Sequence, residues 1–421
     1  MFRPPHLTTH FHRRRLAVVI AAVSALAAPT VARADTVTEW NKTAATAAIT
    51  IANRPGGLAM IRLAMVHGAM YDAVNSIDRR HTPYLVLAPA QPWDSEDAAA
   101  ATAAYRVLVN ILPAQASSFE AFYAASLASV PDGLAKDGGI AAGETAAAAM
   151  LAARANDGLF GPFTFTAGTT PGAWRPTPPA FAADLAPWTG FVTPFLIENP
   201  SQFRSDGPNS LASDEYAADF AEVKELGSRT SATRTADQTD IARFWADPSA
   251  QFWSGILPSL SADQHLSLAE NARYFAMVYT AGADGVISCW NDKAYWSFWR
   301  PITAIRMADL DGNPTTVADP NWEPLLVTPP HPDHPSGHSC MTGAIVHTLQ
   351  SYFGTDKIAF SGVSATSRTT RSFERLSDAL KEVIDARVYS GIHFRTADVQ
   401  GAVIGKKVAH WLDRHYFQPI G

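Results

Sequence analysis

The chain has 421 residues, of which 47% are hydrophobic and only 17% charged, so it has ample apolar material for a large buried core. Eleven Trp, eleven Tyr and 21 Phe exclude a disordered chain, because burying them offsets the entropy of ordering. The formal net charge of −6 excludes the basic face that a nucleic-acid binder needs.

The first 34 residues read as a secretory signal peptide. Arg13, Arg14 and Arg15 form a positive start, residues 16–28 an apolar run, and Ala32-Arg33-Ala34 a small-x-small cleavage site before Asp35. An apolar run of about 13 residues falls short of the roughly 20 that span a bilayer as a helix. No later stretch reads as transmembrane. The expected location is therefore secreted or periplasmic. Five arginines and no acid lie in the leader, so the mature chain moves from −6 to −11.

From residue 35 to 421 the pattern is that of one all-α body, a multi-helix bundle of about ten or more helices with almost no strand alternation. The first helices are expected over 58–77, 98–112, 114–130 and 140–156, where abundant alanine favours helix and close helix approach. Residues 158–208 change character, being rich in Pro, Gly, Trp and Phe. They read as a long ordered excursion wrapped on the bundle. Helices resume at 214–226, with Ser213 as N-cap, and at 236–246, 266–281 and 292–308. The last three are expected over 335–353, 373–390 and 394–416. Chemistry concentrates in the C-terminal third, about 285–415.

Three elements there carry polar groups suited to one pocket. Lys293 and Arg300, seven apart on a continuous helix, would share a face, amid Trp290, Tyr295, Trp296, Phe298 and Trp299. Taken alone, that pair equally fits a surface stripe of snorkelling cations. Pro335-Ser336-Gly337-His338 reads as a helix start, whose free N–H groups and Ser336 hydroxyl suit an oxyanion, with the His338 imidazole alongside as acid or base. Arg387 and His393 are six apart, with Gly391 expected to break the helix so that His393 turns to the same pocket. Together these supply three cations, neutral donors and two imidazoles, the set that a tetrahedral oxyanion calls for.

Other patterns are weaker. His331, Asp333, His334 and His338 cluster like metal ligands, but Pro332 and Pro335 spoil the spacing. The run 309–313 imitates the start of a calcium loop yet has Pro320 at its twelfth position, which marks a plain loop. Cys289 and Cys340 fit either one bridge or two buried thiols.

Lys293-x6-Arg300-Pro301, Pro335-Ser336-Gly337-His338 and Arg387-x5-His393 resemble the three-part signature shared by vanadium-dependent haloperoxidases and type 2 phosphatidic-acid phosphatases. The run 65–74 looks like an N-terminal helix of the secreted bacterial haloperoxidase-like branch. The chain departs from the phosphatase pattern twice. Ala386 stands where that pattern has Ser, and Asp398 lies five residues after His393 where the pattern has Asp four after.

The resemblance implies vanadate held by His393 as its one protein ligand to vanadium. Lys293, Arg300, Ser336, Gly337 and Arg387 would bind its oxygens, with His338 as acid–base. It implies oxidation of a halide by hydrogen peroxide to hypohalous acid, which halogenates a small organic substrate. His331 occupies a position that differs between chloroperoxidases and bromoperoxidases of the family and favours bromide. The alternatives are an acid phosphatase that binds phosphate and forms a phosphohistidine at His393, and a non-catalytic oxyanion-binding protein.

Overall fold

Asp35 opens the helical body: its carboxylate accepts the Thr38 N–H at 2.8 Å and caps α1 (Thr36–Ala45). The computed structural model describes residues 1–5, 35–52 and 56–420. Most of the expected leader lies outside the described residues. A further helix, α2 (Gly56–Asp78), then α3 (Glu96–Ile111), α4 (Ala116–Ala128) and α5 (Leu134–Arg154) form the N-terminal half. α2 packs against α3, α5 and the long helix described below. Ser95 caps α3 by accepting the Ala98 N–H.

The excursion over 158–208 has only a short 3₁₀ turn, Pro187–Phe191, and is held by side chains and by isolated backbone bonds, among them Trp174 N–H to the Ser297 carbonyl and Trp299 N–H to the Gly172 carbonyl, both 2.8 Å. After it come α6 (Asp214–Leu226), capped by Ser213 as the sequence predicts, α7 (Ala236–Phe244) and α8 (Ser249–Asp263). The C-terminal half holds α9 (Leu268–Trp296), α10 (Pro301–Arg306), α11 (Gly337–Phe353), α12 (Leu376–Tyr389) and α13 (Arg395–His415). A single antiparallel hairpin, β1 (Phe360–Val363) with β2 (Thr370–Phe373), pairs Phe360 with Phe373. The chain is thus all-α apart from that hairpin among the described residues. None of the described helices is long and apolar enough to cross a membrane.

The structure corrects several boundaries. The helix expected over 266–281 starts at Leu268 and is part of a single 29-residue helix, α9, that runs on to Trp296. Gly285 on it lets α11 approach closely, since a Cβ there would stand 3.0 Å from the Cys340 carbonyl. The helix expected over 292–308 is split. Ser297 takes a left-handed conformation with φ 42°, its N–H closing on Lys293, and Arg300 is extended at ψ 156° before Pro301 starts α10. Phe373 lies in β2, so the helix expected from 373 begins at Leu376. The sequence reading omits α1 and α8, and α8 carries Pro258 inside it. The two cysteines are free, buried thiols packed together between α9 and α11.

Candidate active site

The break between α9 and α10 sets the geometry of the pocket. Lys293 and Arg300 do not share a helix face; they arrive from the end of one helix and the cap of the next. They meet on the extended segment 329–336, which runs into α11. Lys293 Nζ donates to the Pro332 and Asp333 carbonyls at 2.7 and 2.9 Å. Arg300 Nε donates to the His331 carbonyl at 2.7 Å, and its Nη1 to the Ile392 carbonyl at 2.6 Å. Both cations are completely buried, which rules out the surface stripe.

α12 ends at Tyr389 and Gly391 turns the chain with φ +77°, as the sequence anticipates. A Cβ at Gly391 would lie 2.4 Å from the Gly227 carbonyl, so neither the turn nor the contact admits another residue easily. The turn presents His393 to Arg300, with Arg300 Nη1 3.1 Å from His393 Nε2. His393 Nδ1 stands 2.9 Å from Asp333 Oδ1, at ion-pair distance but without hydrogen-bond alignment. A proton on Nδ1 facing Asp333 makes Nε2 the acceptor, and in this structure it takes the Arg300 N–H.

Ser336 is the N-cap of α11, and the helix begins at Gly337 and His338. The first N–H groups of such a helix lack intrahelical acceptors. A Cβ at Gly337 would come within 2.7 Å of the Trp290 ring, so this close approach requires glycine. The Ser336 hydroxyl is buried without an aligned partner, as is Arg387 Nε, whose Nη1 donates to the Trp245 carbonyl at 2.7 Å. Orphaned buried donors converging near an imidazole fit an anion that accepts from them. His338 Nε2 lies 3.0 Å from the Asp247 carbonyl, which fixes its proton there and leaves Nδ1 as the acceptor.

Burial dominates the electrostatics. It lowers Lys293 to about 8, and Arg300 and Arg387 to about 10. Burial and the neighbouring cations hold His331, His338 and His393 neutral, well below the ordinary imidazole value. Burial also raises Asp333 well above the carboxylate range, even with Arg300 and Lys293 nearby, and lifts Asp398 to about 7. Three buried cations, Lys293, Arg300 and Arg387, therefore sit with two buried carboxyls, Asp333 and Asp398, one positive group in excess. A buried excess of positive charge is stabilised by an anion.

A cavity of about 370 Å³ opens over this floor, and Gly337, His338, His331, Arg387 and His393 line it. Lys293, Arg300 and Ser336 are fully buried and are not part of its lining. The sequence reading missed Asp333 as the partner of His393, weighing it only as part of a metal cluster that the neighbouring prolines argue against. It missed Asp247 as the support of His338 as well. The carboxylate it looked for, Asp398, turns elsewhere: it accepts from Ser339 Oγ at 3.0 Å and faces Ser336 and Arg387. The available signal for Asp333 was an acid in a Pro-rich segment leading straight into the helix start.

Residues 273–420 match the family model described as the VCPO second helical-bundle domain. Vanadium chloroperoxidase of Curvularia inaequalis is 24% identical over 201 residues; the match covers 40% of this chain and about a third, 32%, of that protein. The crystal structure of the first bacterial vanadium-dependent iodoperoxidase superposes with a TM-score of 0.78 at 23% identity, covering 91% of this chain and 98% of that one. A holo-type bacterial vanadium-dependent chloroperoxidase superposes with a TM-score of 0.69 at 18% identity, covering 89% and 94%. The likeness to these structures is one of fold.

Proposed function

We propose that this chain, which belongs to the vanadium haloperoxidase superfamily, binds vanadate and uses hydrogen peroxide to oxidise a halide to hypohalous acid. The observation that carries this reading is His393, buried beside Lys293, Arg300 and Arg387, with Nδ1 turned to Asp333 at 2.9 Å and Nε2 turned to Arg300 Nη1 at 3.1 Å, a contact that an oxyanion bound at Nε2 would replace. His393 Nε2 would hold the vanadium. Lys293, Arg300 and Arg387, with Ser336 and the Gly337 N–H, would neutralise its oxygens. When bound, the group supplies a Lewis acid that makes peroxide electrophilic toward halide. His338, neutral and lining the cavity, is placed to take the proton that peroxide loses, its Nε2 braced by the Asp247 carbonyl.

Among halides we assign bromide. The named relatives are a chloroperoxidase and an iodoperoxidase. The ground for bromide is His331, whose position the family resemblance associates with bromide and which lines the cavity beside Arg300 Nη2 at 3.0 Å. We also place the protein outside the cytoplasm after cleavage near Ala34. Asp35, the first residue after that site, caps α1 and accepts from Asn271 at 2.7 Å, which ties the helical body down from this residue onward.

The test is bromination of a phenolic dye by peroxide and bromide, with and without orthovanadate, beside hydrolysis of p-nitrophenyl phosphate. The reading expects vanadate-dependent bromination. Phosphate-ester hydrolysis without it would select the phosphohistidine alternative, in which His393 is the nucleophile.

A further inference from the structure

Vanadate, peroxide and bromide are small and polar, and the polar floor described above accommodates all three. The rest of the cavity does not suit them. Its walls above that floor are made by Leu185, Val286, Trp290, Leu326, Val327 and Met341. At about 370 Å³ the space falls within the roughly 300–1,000 Å³ of pockets that take organic ligands, and its make-up matches them: mostly apolar walls with a few convergent polar groups. A site for peroxide and halide alone needs no such walls.

The mouth has the same character. Leu185 and Val327 line the cavity and are 40% and 67% exposed. Leu185 is fixed there by its N–H, which donates to the Pro330 carbonyl at 3.0 Å. Its own carbonyl lies 3.5 Å from Trp290 Nε1, so the excursion holds the mouth and the Trp290 wall together. Apolar side chains left exposed at the rim of an apolar cavity mark an entry route for an apolar molecule.

We propose that the cavity binds an apolar, electron-rich organic molecule, a phenol-like aromatic of about ten to fifteen non-hydrogen atoms, and that halogen passes to it before leaving the pocket; this rests on the haloperoxidase reading. Electrophilic halogen demands an electron-rich carbon, and the apolar walls select the rest of the molecule. A hydroxyl on it would turn to the Ser249, His338 and Arg387 side of the cavity. The balance is hydrogen peroxide, bromide, one proton and Ar–H giving Ar–Br and two waters. The O–O bond breaks, bromide is oxidised, the C–Br bond forms, and the aromatic carbon's proton ends in water.

The experiment sets 2-naphthol against taurine, a polar amine that traps hypobromous acid, in one reaction with the vanadate-loaded protein, peroxide and bromide. The ratio of brominated naphthol to bromamine should exceed that from reagent hypobromous acid at least tenfold and should saturate with naphthol. The Leu185→Asp/Val327→Asp double variant, altered only at exposed positions, should return the ratio to within about twofold of the reagent's. Without peroxide, calorimetric titration of 2-naphthol should give saturable binding with a negative heat-capacity change, weakened at least tenfold in that variant. A ratio equal to the reagent's together with no saturable heat overturns the inference and leaves the haloperoxidase reading standing. Absence of any vanadate-dependent bromination, of taurine included, overturns that reading and the halogen transfer with it.

Discussion

Around α2 and α9, Asp72 and Asp284 are buried carboxylates that hold loops. Asp284 accepts the N–H groups of Phe195, Leu196 and Ile197 at 2.7–2.9 Å, fastening the excursion to the long helix. Asp72 does the same for Tyr84, Leu85 and Val86. At the pocket, Asp333 and Asp398 are equally buried, yet they face an imidazole, hydroxyls and guanidinium groups instead of successive amides. The histidines divide the same way. His67 is fully buried between Phe275 and Tyr279, with neither ring nitrogen hydrogen-bonded, and burial takes it down to about 3. His393 is as deeply buried but touches Asp333 and Arg300. Burial of a titratable group therefore marks no function in this fold; what it faces does. Asp247 belongs to both regions: its carboxylate holds the Ala365 and Thr366 amides, and its carbonyl braces His338.

Substitutions can break or sharpen that division. After loss of the His393 ligand, the largest effect is expected from His338→Ala, which should lower the bromination rate 10²–10⁴-fold, about 2.7–5.5 kcal/mol, with thermal stability nearly unchanged. Unfolding curves and initial rates check both halves. Asp284→Ala should do the reverse, stranding three amides at a residue that does not line the cavity. A loss of about 3–5 kcal/mol in denaturant unfolding is expected, with vanadate-dependent turnover retained at low temperature. Asp333→Asn keeps the shape while removing the carboxylate that orients His393. Vanadate should bind about 10–100-fold more weakly, with only a small change in the melting temperature.

A smaller effect concerns pH. Lys293 loses its proton near 8, while Arg300 and Arg387 keep theirs to about 10. Oxyanion affinity should fall as pH climbs through about 8, and Lys293→Met should flatten that fall in a titration series. Between about 8 and the ordinary 10.5 the unfolded chain holds the extra proton. In the anion-free protein this group's contribution therefore makes stability rise with pH across that window. The smallest effect is His67→Phe, which removes two unsatisfied nitrogens from an aromatic stack. It should leave activity untouched and stabilise by up to about 1 kcal/mol.

The division explains what the sequence disclosed. The helix expected from Pro335 begins two residues later, at Gly337, with Ser336 as its N-cap, whereas Ser213 is a local capping signal that the structure follows. Gly391 works the same way, through its own backbone. Lys293 and Arg300 were placed in one pocket, but along a helix that the left-handed Ser297 interrupts, and nothing in a seven-residue spacing reports such a break. The continuity of α9 is a tertiary fact, because Gly282 and Gly285 resemble a gap until Met60 and Cys340 are packed against them. Asp333 and Asp247 escaped for the same reason: their partners lie 60 and 91 residues away, and one acts through its carbonyl, which carries no residue signature.

The most direct measurement is vanadium content and bromination, made together on the wild-type protein and on His393→Ala after loading with orthovanadate. The wild type should retain one vanadium per chain and brominate, while His393→Ala should retain almost none and lose bromination entirely. Full bromination by the His393→Ala protein would contradict the account.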